Sequence, residues 1–403
     1  MSTTSFNDLP EETAAGILLR LSVKDLIRST SVNKTWYSLI NNPSFISAQI
    51  SRCISHCNDN AVLIIPPLTS IQNYCSLISA DTSTLLEKFH IPFETKTRTL
   101  KLVAEIDGLL LLTDLQLPYA SRELYLWNPY VKTHRVLLSS CFKKFLDIRS
   151  KSSFVVGMGF DKLTNDYKVV RIVYVEDAKF MLLGEVAPKV EIFSLRKNTW
   201  RRIKDAVVPI LAFDSGTYVD GSFYWLEMSC PESVEIRKSK GKKFRILSFD
   251  FVNEAFGEVK VPVDALDSSG EVGGPYKLMK FEGSLAFCVL VGDGNPYCIW
   301  LMRHENGVFS WRLRFKAVLK VLGWPLNITN NETLIVEKYS LTGVGVTNLF
   351  SCNLKSRDHK DLGFGIRGLR AFENVYPSST VGTCLPESLI MYEGGKLLLK
   401  HAN

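Results

Sequence analysis

Long apolar runs, paired metal-binding motifs and a large excess of one charge are missing from this sequence of 403 residues. No apolar stretch reaches the ~18–20 residues that span a bilayer, so we expect no membrane partner. The nearest, SLAFCVLVG, has the length of a strand. The N-terminal MSTTSFNDLPEE has no basic region followed by an apolar run, so we expect no secretory signal and a cytoplasmic or nuclear location, or both.

The charge balance and the cysteines exclude further classes. A net charge of +7, spread over the whole chain, is too small to predict a nucleic-acid partner. Nine cysteines at irregular intervals, without a CxxC pair, predict reduced thiols. The one cluster, CISHC at Cys53–Cys57, lacks the second half that a four-ligand zinc site needs. We therefore expect ordinary thiols on a helix there, and neither a metal nor a cofactor.

No constellation of catalytic residues can be assembled from the sequence. The six histidines stand apart, without an HExxH or His-x-His pair. Asp161 and Asp166 flank a predicted hairpin and are interpreted as turn formers rather than as an acid/base pair. The basic run RKSKGKKFR, Arg237–Arg245, is interpreted as a solvated loop, with a nuclear-import signal or a patch for an acidic partner as alternatives. We predict a protein without catalysis of its own.

Residues 1–50 have the pattern of a small domain of three or four helices. Pro10 with Glu11 and Glu12 suits the start of a first helix, and Ser22 with Asp25 has the form of a capping box. A third helix is predicted from the spacing of its apolar residues, and a fourth, short helix opens at Pro43 and runs to Ile50. The residues at the spacing of the third helix are Val32, Trp36, Leu39 and Ile40.

From about residue 99 the chain alternates strand, turn and strand to residue 403. Glycine or asparagine markers recur at steps of about 48 to 64 residues, which is typical of a β-propeller, here degenerate and of about six blades. Residues 51–98 are interpreted as a linker that could donate one strand. The markers are Gly108, Gly159, Gly221, Gly283, Asn331 and Gly395. The tryptophans expected in the core of the strands are Trp127, Trp200, Trp225, Trp300 and Trp311.

The helical domain has more apolar residues than a unit of about 40 residues can bury alone, and no disulfide or metal framework to hold it. Two explanations stay open. The surplus either anchors an interface with another polypeptide, with Trp36 and the leucines at its centre, or packs on the β domain.

Residues 9–50, LPEETAAGILLRLSVKDLIRSTSVNKTWYSLINNPSFISAQI, resemble an F-box. The rest resembles the F-box-associated interaction domain of plant F-box proteins, with kelch-like repeats. The phrases that carry this second resemblance are LWNPYVKTHRVL, GMGFDKLTNDYKVVRI, VEIFSLRKNTWRRI, DGSFYWL, ILSFDFVNEAFGEV and IWLMRHENGVFSW. The chain departs from the F-box pattern at Ser22, where proline is usual, at Ser29, where an aromatic residue is common, and at the small residues of 14–16.

The resemblance implies the substrate-recognition subunit of an SCF-type cullin–RING ubiquitin ligase. The F-box would bind a Skp-type adaptor and, through it, the cullin and RING subunits, and the β domain would hold the protein to be ubiquitinated and degraded. The implied adaptor contacts are Leu9, Pro10, Ile17, Leu18, Leu21, Leu26, Val32, Trp36 and Leu39. Two alternatives stay open: a receptor whose β domain binds a glycan or small ligand, and a propeller-fold hydrolase. The residues that would bind a target are not predicted.

Overall fold

The computed structural model describes residues 9–58, 60–66, 73–95, 100–114, 123–137, 140–142, 152–175, 188–204, 216–229, 243–266, 272, 274–292, 296–305, 308–338, 346–367, 380–382 and 385–391. Within these residues four helices come first and strands follow, with a 3₁₀ turn at Val263–Ala265 between the fourth and fifth sheets. The helices are α1 (Glu11–Leu18), α2 (Val23–Ser29), α3 (Lys34–Ile40) and α4 (Pro43–Ser55).

Local capping sets the bounds of these helices. The side chain of Ser22 accepts the backbone N–H of Asp25 at 3.2 Å, which confirms the predicted cap of α2. Asn33 caps α3 by accepting the N–H of Trp36 at 2.8 Å, so α3 begins at Lys34 and the predicted helical position of Val32 is wrong. Pro43 opens α4 as predicted, but α4 continues to Ser55 because no breaker interrupts residues 51–55.

The described strands form six antiparallel sheets of four strands each. The first sheet holds β24 (Thr380–Gly382), β1 (Ala61–Ile65), β2 (Tyr74–Ser79) and β3 (Leu85–His90); the second holds β4 (Leu100–Ile106), β5 (Leu109–Asp114), β6 (Leu124–Asn128) and β7 (Thr133–Val136); the third holds β8 (Ser152–Asp161), β9 (Asp166–Val175), β10 (Lys189–Ser194) and β11 (Thr199–Ile203). The fourth holds β12 (Thr217–Val219), β13 (Ser222–Ser229), β14 (Lys243–Asp250) and β15 (Ala255–Lys260); the fifth holds β16 (Tyr276–Phe281), β17 (Ser284–Leu290), β18 (Pro296–Glu305) and β19 (Val308–Val318); the sixth holds β20 (Gly323–Ile328), β21 (Thr333–Lys338), β22 (Val346–Asn353) and β23 (His359–Arg367).

The six sheets are the blades of a β-propeller, as predicted. The innermost strands β24, β4, β8, β12, β16 and β20 neighbour one another at the centre. The ring closes where β24 pairs antiparallel with β1, Ile64 lying opposite Val381. Closure in this way joins residues 380–382 to the first sheet and leaves the outer strands as the edges of the blades.

The first blade differs from the sequence interpretation. Residues 51–98 were expected to link the domains and donate one strand, but they supply the end of α4 and all of β1, β2 and β3. The outer strand β3 is exposed at five of its six positions, so it lacks the alternation that marks a half-buried strand. For this reason the sequence around β3 is typical of a loop rather than of a strand.

The glycine markers correspond to tight hairpin turns between the first two strands of a blade. In the β4–β5 turn both central residues have positive φ, 53° at Asp107 and 81° at Gly108, which is the type I′ geometry that suits twisted strands. The same pattern recurs at Gly221 and Gly283. Gly159 instead lies within β8, and Gly395 lies outside the described residues.

Apolar clusters fill the spaces between neighbouring blades, because a single small sheet cannot bury both of its faces. One cluster joins the first and second blades, another the fourth and fifth, and others complete the ring. Trp127, Trp225 and Trp300 are buried in these clusters as predicted. Trp200 and Trp311 are only partly buried.

Candidate functional site

The inner face of the F-box helices packs against the propeller. Its buried apolar side chains share one cluster with Leu389, which follows the last described strand and is 0% exposed. Tyr130 and Val131, in the β6–β7 turn, flank this cluster. The F-box members are Leu18, Val23, Leu26, Leu39, Ile40 and Phe45. Part of the apolar surplus of residues 1–50 is thus used within the chain.

Hydrogen bonds from the F-box fix the segment 385–391, which we call the clasp. The backbone N–H of Val23 donates to the Glu387 carboxylate at 2.7 Å. Gln49, which is 1% exposed, donates through Nε2 to the Glu387 carbonyl and accepts the N–H of Leu389, both at 3.2 Å. One amide side chain thereby satisfies two backbone groups of the clasp, which suits a buried position.

The propeller holds the clasp from the other side. Nδ2 of the buried Asn128 donates to the Ser388 carbonyl at 3.1 Å, the Ser388 hydroxyl at 3.0 Å and the Ile390 carbonyl at 2.9 Å. The Tyr130 hydroxyl donates to the Leu385 carbonyl at 3.0 Å. The clasp therefore lies between α2 and α4 on one side and the second blade on the other.

Carboxylates set the electrostatics of this junction. Burial, and then the charges of Glu87 and Glu387, raise the pKa of the Tyr130 hydroxyl. Partial desolvation raises the pKa of the Glu87 carboxyl, with Glu387 adding to the shift and Lys24 opposing it. The same causes, burial followed by Glu387, raise the pKa of the Cys53 thiol. The thiol therefore stays protonated and unreactive at neutral pH.

The outer surface of the F-box keeps apolar side chains exposed. Val32 is 60% exposed, Ile17 42% and Leu21 36%, and Pro10 is also exposed. We call Ile17, Leu21 and Val32 the exposed triad. Leu9 and Trp36 are half-buried. Of the predicted adaptor contacts, Leu18, Leu26 and Leu39 lie in the buried cluster, and the half-buried Trp36 packs against it. The adaptor contact set as a whole stays a prediction.

The hydrolase alternative needs convergent carboxylates near the propeller axis. Close to the innermost strands, the Asp107 carboxylate accepts a hydrogen bond from the Tyr167 hydroxyl at 2.8 Å. Burial raises the pKa of Asp107, and this hydrogen bond opposes the shift. Two carboxylates do converge elsewhere: Asp161 and Glu254 lie 2.7 and 2.8 Å from the Lys168 ammonium group. Lys168 is a permanent counter-ion to both, which is the arrangement of a structural ion pair.

The predicted turn role of Asp161 is confirmed, and Asp166 has a different partner. Asp161 accepts the N–H of Leu163 at 2.9 Å and of Thr164 at 3.2 Å, within its own turn. Asp166 accepts the N–H of Arg196 at 2.8 Å and so braces the neighbouring β10–β11 turn.

Three further sequence expectations can be compared with the described part of the chain. Among the described residues, no group of His, Cys, Asp and Glu has the arrangement of a metal site, and no helix has the length and apolarity to cross a membrane. Six described cysteines are free, but Cys57 is disulfide-bonded, so the expectation of reduced thiols fails at that position. Residues 237–242 of the basic run lie outside the described residues, and Arg245 pairs with Glu258 at 3.2 Å.

The clasp contacts were missed by the sequence analysis. Asn128 lies in the repeated phrase LWNPYVKTHRVL, yet its partner Ser388 is 260 residues further along. Neither spacing nor composition links two positions so far apart. The one local signal was the excess of apolar residues in residues 1–50, which predicted that the helices pack on something.

Comparison with known proteins agrees with this architecture. Residues 6–47 match the F-box domain, and residues 70–345 match the F-box associated beta propeller domain. The F-box/kelch-repeat protein At3g23880 of Arabidopsis thaliana is 25% identical over 377 residues, which is 90% of this chain and 93% of that protein. The Arabidopsis thaliana F-box protein CPR1 is 26% identical over 323 residues, 75% of this chain and 71% of that protein. The solved structure of YjhT is 13% identical and aligns with 75% of this chain and 95% of its own, with a TM-score of 0.40.

An F-box docked on a six-bladed propeller defines a class of receptor protein. The chain belongs to the F-box associated beta propeller family. An F-box, this propeller and F-box relatives together support, in general terms, the role of a substrate receptor in an SCF-type ligase, and the F-box implies binding to a Skp-type adaptor in general.

Proposed function

We propose that this chain is the subunit that selects proteins for ubiquitination by an SCF-type ligase. Its F-box binds a Skp-type adaptor through the exposed triad, and its propeller holds the protein to be modified. The chain itself makes and breaks no covalent bond. It raises the effective concentration of the target beside the ubiquitin-conjugating enzyme that the cullin and RING subunits recruit. We also propose that it works in the cytoplasm, the nucleus or both, which a fluorescent fusion would test.

The observation that supports adaptor binding is the division of the F-box into two apolar faces. Leu18, Leu26 and Leu39 are buried in the cluster that contains Leu389, whereas Ile17, Leu21 and Val32 remain exposed. Exposed apolar side chains on a small unit that packs against the propeller are typical of a docking surface.

The test uses the full chain and a purified Skp-type adaptor. Val32→Asp and Ile17→Asp should weaken adaptor capture by at least roughly tenfold, since each places a charge in the proposed contact. Ile54→Asp is the matched control: Ile54 is 48% exposed, lies on α4 and is outside the predicted contact set. Equal capture by all three variants and the unaltered chain would refute the proposal. Unchanged thermal unfolding would show that the variants report on contact rather than folding.

A further inference from the structure

One strand of the propeller is unlike the other outer strands. β19, the outer edge of the fifth blade, is 11 residues long, whereas the outer strands of the other blades have four to nine. Its pairing with β18 continues to Glu305 and Val308, but the pairing of β17 with β18 stops at Ala286 and Leu301. Four residue pairs of the β18–β19 hairpin thus extend beyond the blade as a two-stranded ribbon.

One face of β19 is apolar and open. Phe309 and Leu313 are 46% and 45% exposed. They alternate with Trp311, which lies between them on the same face because successive side chains of a strand point to opposite sides. His304, opposite Phe309 in the register, stacks on its ring at 4.5 Å between centroids. The Trp311 indole N–H donates to the carbonyl of Lys260 in β15 at 2.7 Å, and this hydrogen bond fixes the apolar face of β19 against the fourth blade.

The other face carries unpaired positive charge. The hairpin at residues 296–318 has four basic side chains and one acidic side chain, a net charge of +3. Arg314 is occupied by Glu282 at 2.8 Å and Glu332 at 3.0 Å. Arg303, opposite Ser310 in the register, shares a face with Arg312, and both are exposed. Neither has an ion-pair partner among the described residues.

We propose that β19 binds an extended acidic peptide segment of the target by strand addition. An edge strand presents backbone N–H and C=O groups that a further strand can pair with, and alternate side chains then give specificity. Apolar side chains on one face and cations on the other fit a peptide in which apolar and acidic residues alternate. The inference rests on the proposed function, because it states how the propeller would hold its substrate.

The probe is a fluorescein-labelled peptide of about ten residues in which valine and glutamate alternate, a length that spans the strand. Binding to the full chain is followed by fluorescence anisotropy. A peptide of the same composition in two blocks, valines first, should bind at least roughly tenfold more weakly, since it cannot present one residue type to each face. Binding of the alternating peptide should weaken with added salt, because exposed charges are screened.

Backbone methylation distinguishes strand addition from simple charge attraction. In an added strand, only alternate residues point their N–H groups at β19. Of two peptides N-methylated either on every valine or on every glutamate, one should therefore lose binding and the other should keep it. Equal binding by both peptides would overturn the proposal.

Variants of the chain place the site. Phe309→Thr and the double variant Arg303→Glu/Arg312→Glu should each weaken binding by roughly tenfold or more. Val136→Thr is the matched control, because Val136 is an apolar residue, 39% exposed, on the outer strand β7 of the second blade. These are surface positions, and unchanged thermal unfolding would show that each variant is folded. Unaltered binding by the Phe309 and arginine variants would overturn the proposal.

Two further measurements distinguish strand addition from dimerisation of the chain and test it separately from the proposed function. If sedimentation shows a dimer that Phe309→Thr converts to a monomer, β19 pairs with a second copy of the chain and the peptide proposal is wrong. Adaptor capture is measured on the same samples. Retained adaptor capture without peptide binding refutes the strand-addition inference alone, and peptide binding without adaptor capture refutes the proposed function alone.

Discussion

The backbone N–H of Val23 donates a 2.7 Å hydrogen bond to the carboxylate of Glu387, which lies 364 residues further along the chain. This contact joins the first turn of α2 in the F-box to the clasp, which Asn128 ties to the second blade. The orientation of the F-box relative to the propeller is therefore set by residues near the end of the chain. Such a fixed orientation would suit the proposed function, in which a target is held beside the ubiquitin-conjugating enzyme.

Glu387→Ala should loosen this junction. A hydrogen bond to a charged group contributes about 1.5–3 kcal/mol, and Glu387 is half-buried, so we expect about 1–2 kcal/mol lower stability in urea unfolding. Hydrogen exchange at the Val23 amide should become faster. Glu258→Ala, which removes a partly exposed surface ion pair with Arg245, is the control and should change stability by less than about 0.5 kcal/mol. Unchanged exchange at Val23 would contradict this account.

Gly108→Ala should damage the clasp more than a comparable glycine change elsewhere. A Cβ at Gly108 would lie 2.3 Å from the Pro386 carbonyl oxygen, and φ there is +81°. At Gly283 φ is +73°, but no atom lies within 4 Å of an added Cβ. Gly283→Ala should therefore cost only the left-handed strain, about 1–2 kcal/mol, and Gly108→Ala should cost more. Urea unfolding of both variants measures the difference. Equal losses of stability in the two variants would mean that the clasp moves away from an added Cβ at position 108 without a loss of free energy, and would contradict this prediction.

The features that sequence analysis predicted are those that depend on neighbouring residues. The cap from Ser22 to Asp25 and the positive φ of Asp107 and Gly108 are local requirements, so both the helices and the blade repeat could be found. The predicted number of about six blades is confirmed, but only five markers lie in described blades, the second to the sixth, because Gly395 lies outside the described residues. The first blade contains no marker, because its innermost strand β24 comes from residues 380–382, far along the chain from its other three strands.

Much of the candidate site depends on contacts between distant residues. The exposed triad was among the predicted adaptor contacts, but so were Leu18 and Leu26, and the helical pattern assigns all of them to apolar faces. Part of the apolar surface of the F-box is covered by Leu389, and only the folded chain brings that residue to the F-box. The clasp had no counterpart in the sequence for the same reason.

Asp161 should make the protein acid-sensitive between about pH 4 and pH 2. Burial raises the pKa of Asp161, but the hydrogen bonds from Lys168, Thr164 and the backbone outweigh it and lower the pKa from 3.8 to about 2. Because the folded-state value lies below the unfolded-state value, this stabilisation is present above about pH 4 and is lost as the pH falls toward 2. This difference between the pKa of Asp161 in the unfolded and folded states corresponds to about 2 kcal/mol of folding stability.

Asp161→Asn should therefore lower stability at pH 7 by about 2 kcal/mol and flatten the stability profile between about pH 4 and pH 2. Chemical unfolding across this range measures both effects. Asp264→Asn is the control, because Asp264 is exposed on the 3₁₀ turn, and it should leave the profile unaltered. A profile for Asp161→Asn that keeps the slope of the unaltered chain would show that another carboxylate is responsible.

Substitutions of the two partners in the fully buried ion pair of the third blade should have strongly non-additive effects on stability. Arg171 Nε donates to the Glu191 Oε1 at 2.6 Å, and neither side chain is exposed. Ser140 and the N–H of Cys141 also donate to Glu191 at 2.8 Å, and the Trp200 ring lies 4.2 Å from the guanidinium carbon. Burial lowers the pKa of Arg171, and the charge and hydrogen bond of Glu191 oppose the shift.

Glu191→Leu alone leaves this guanidinium buried without a counter-ion and should cost about 3–5 kcal/mol. The double variant Arg171→Met/Glu191→Leu removes both charges and should recover most of that loss, since burying two charges is itself unfavourable. Urea unfolding of the unaltered chain, both single variants and the double variant forms a complete cycle. The double variant should remain less stable than the unaltered chain, because Ser140 and the N–H of Cys141 lose their hydrogen bonds to Glu191. Each lost hydrogen bond should cost about 1 kcal/mol. Additive losses in the double variant would mean that Arg171 and Glu191 contribute independently, and would contradict this account.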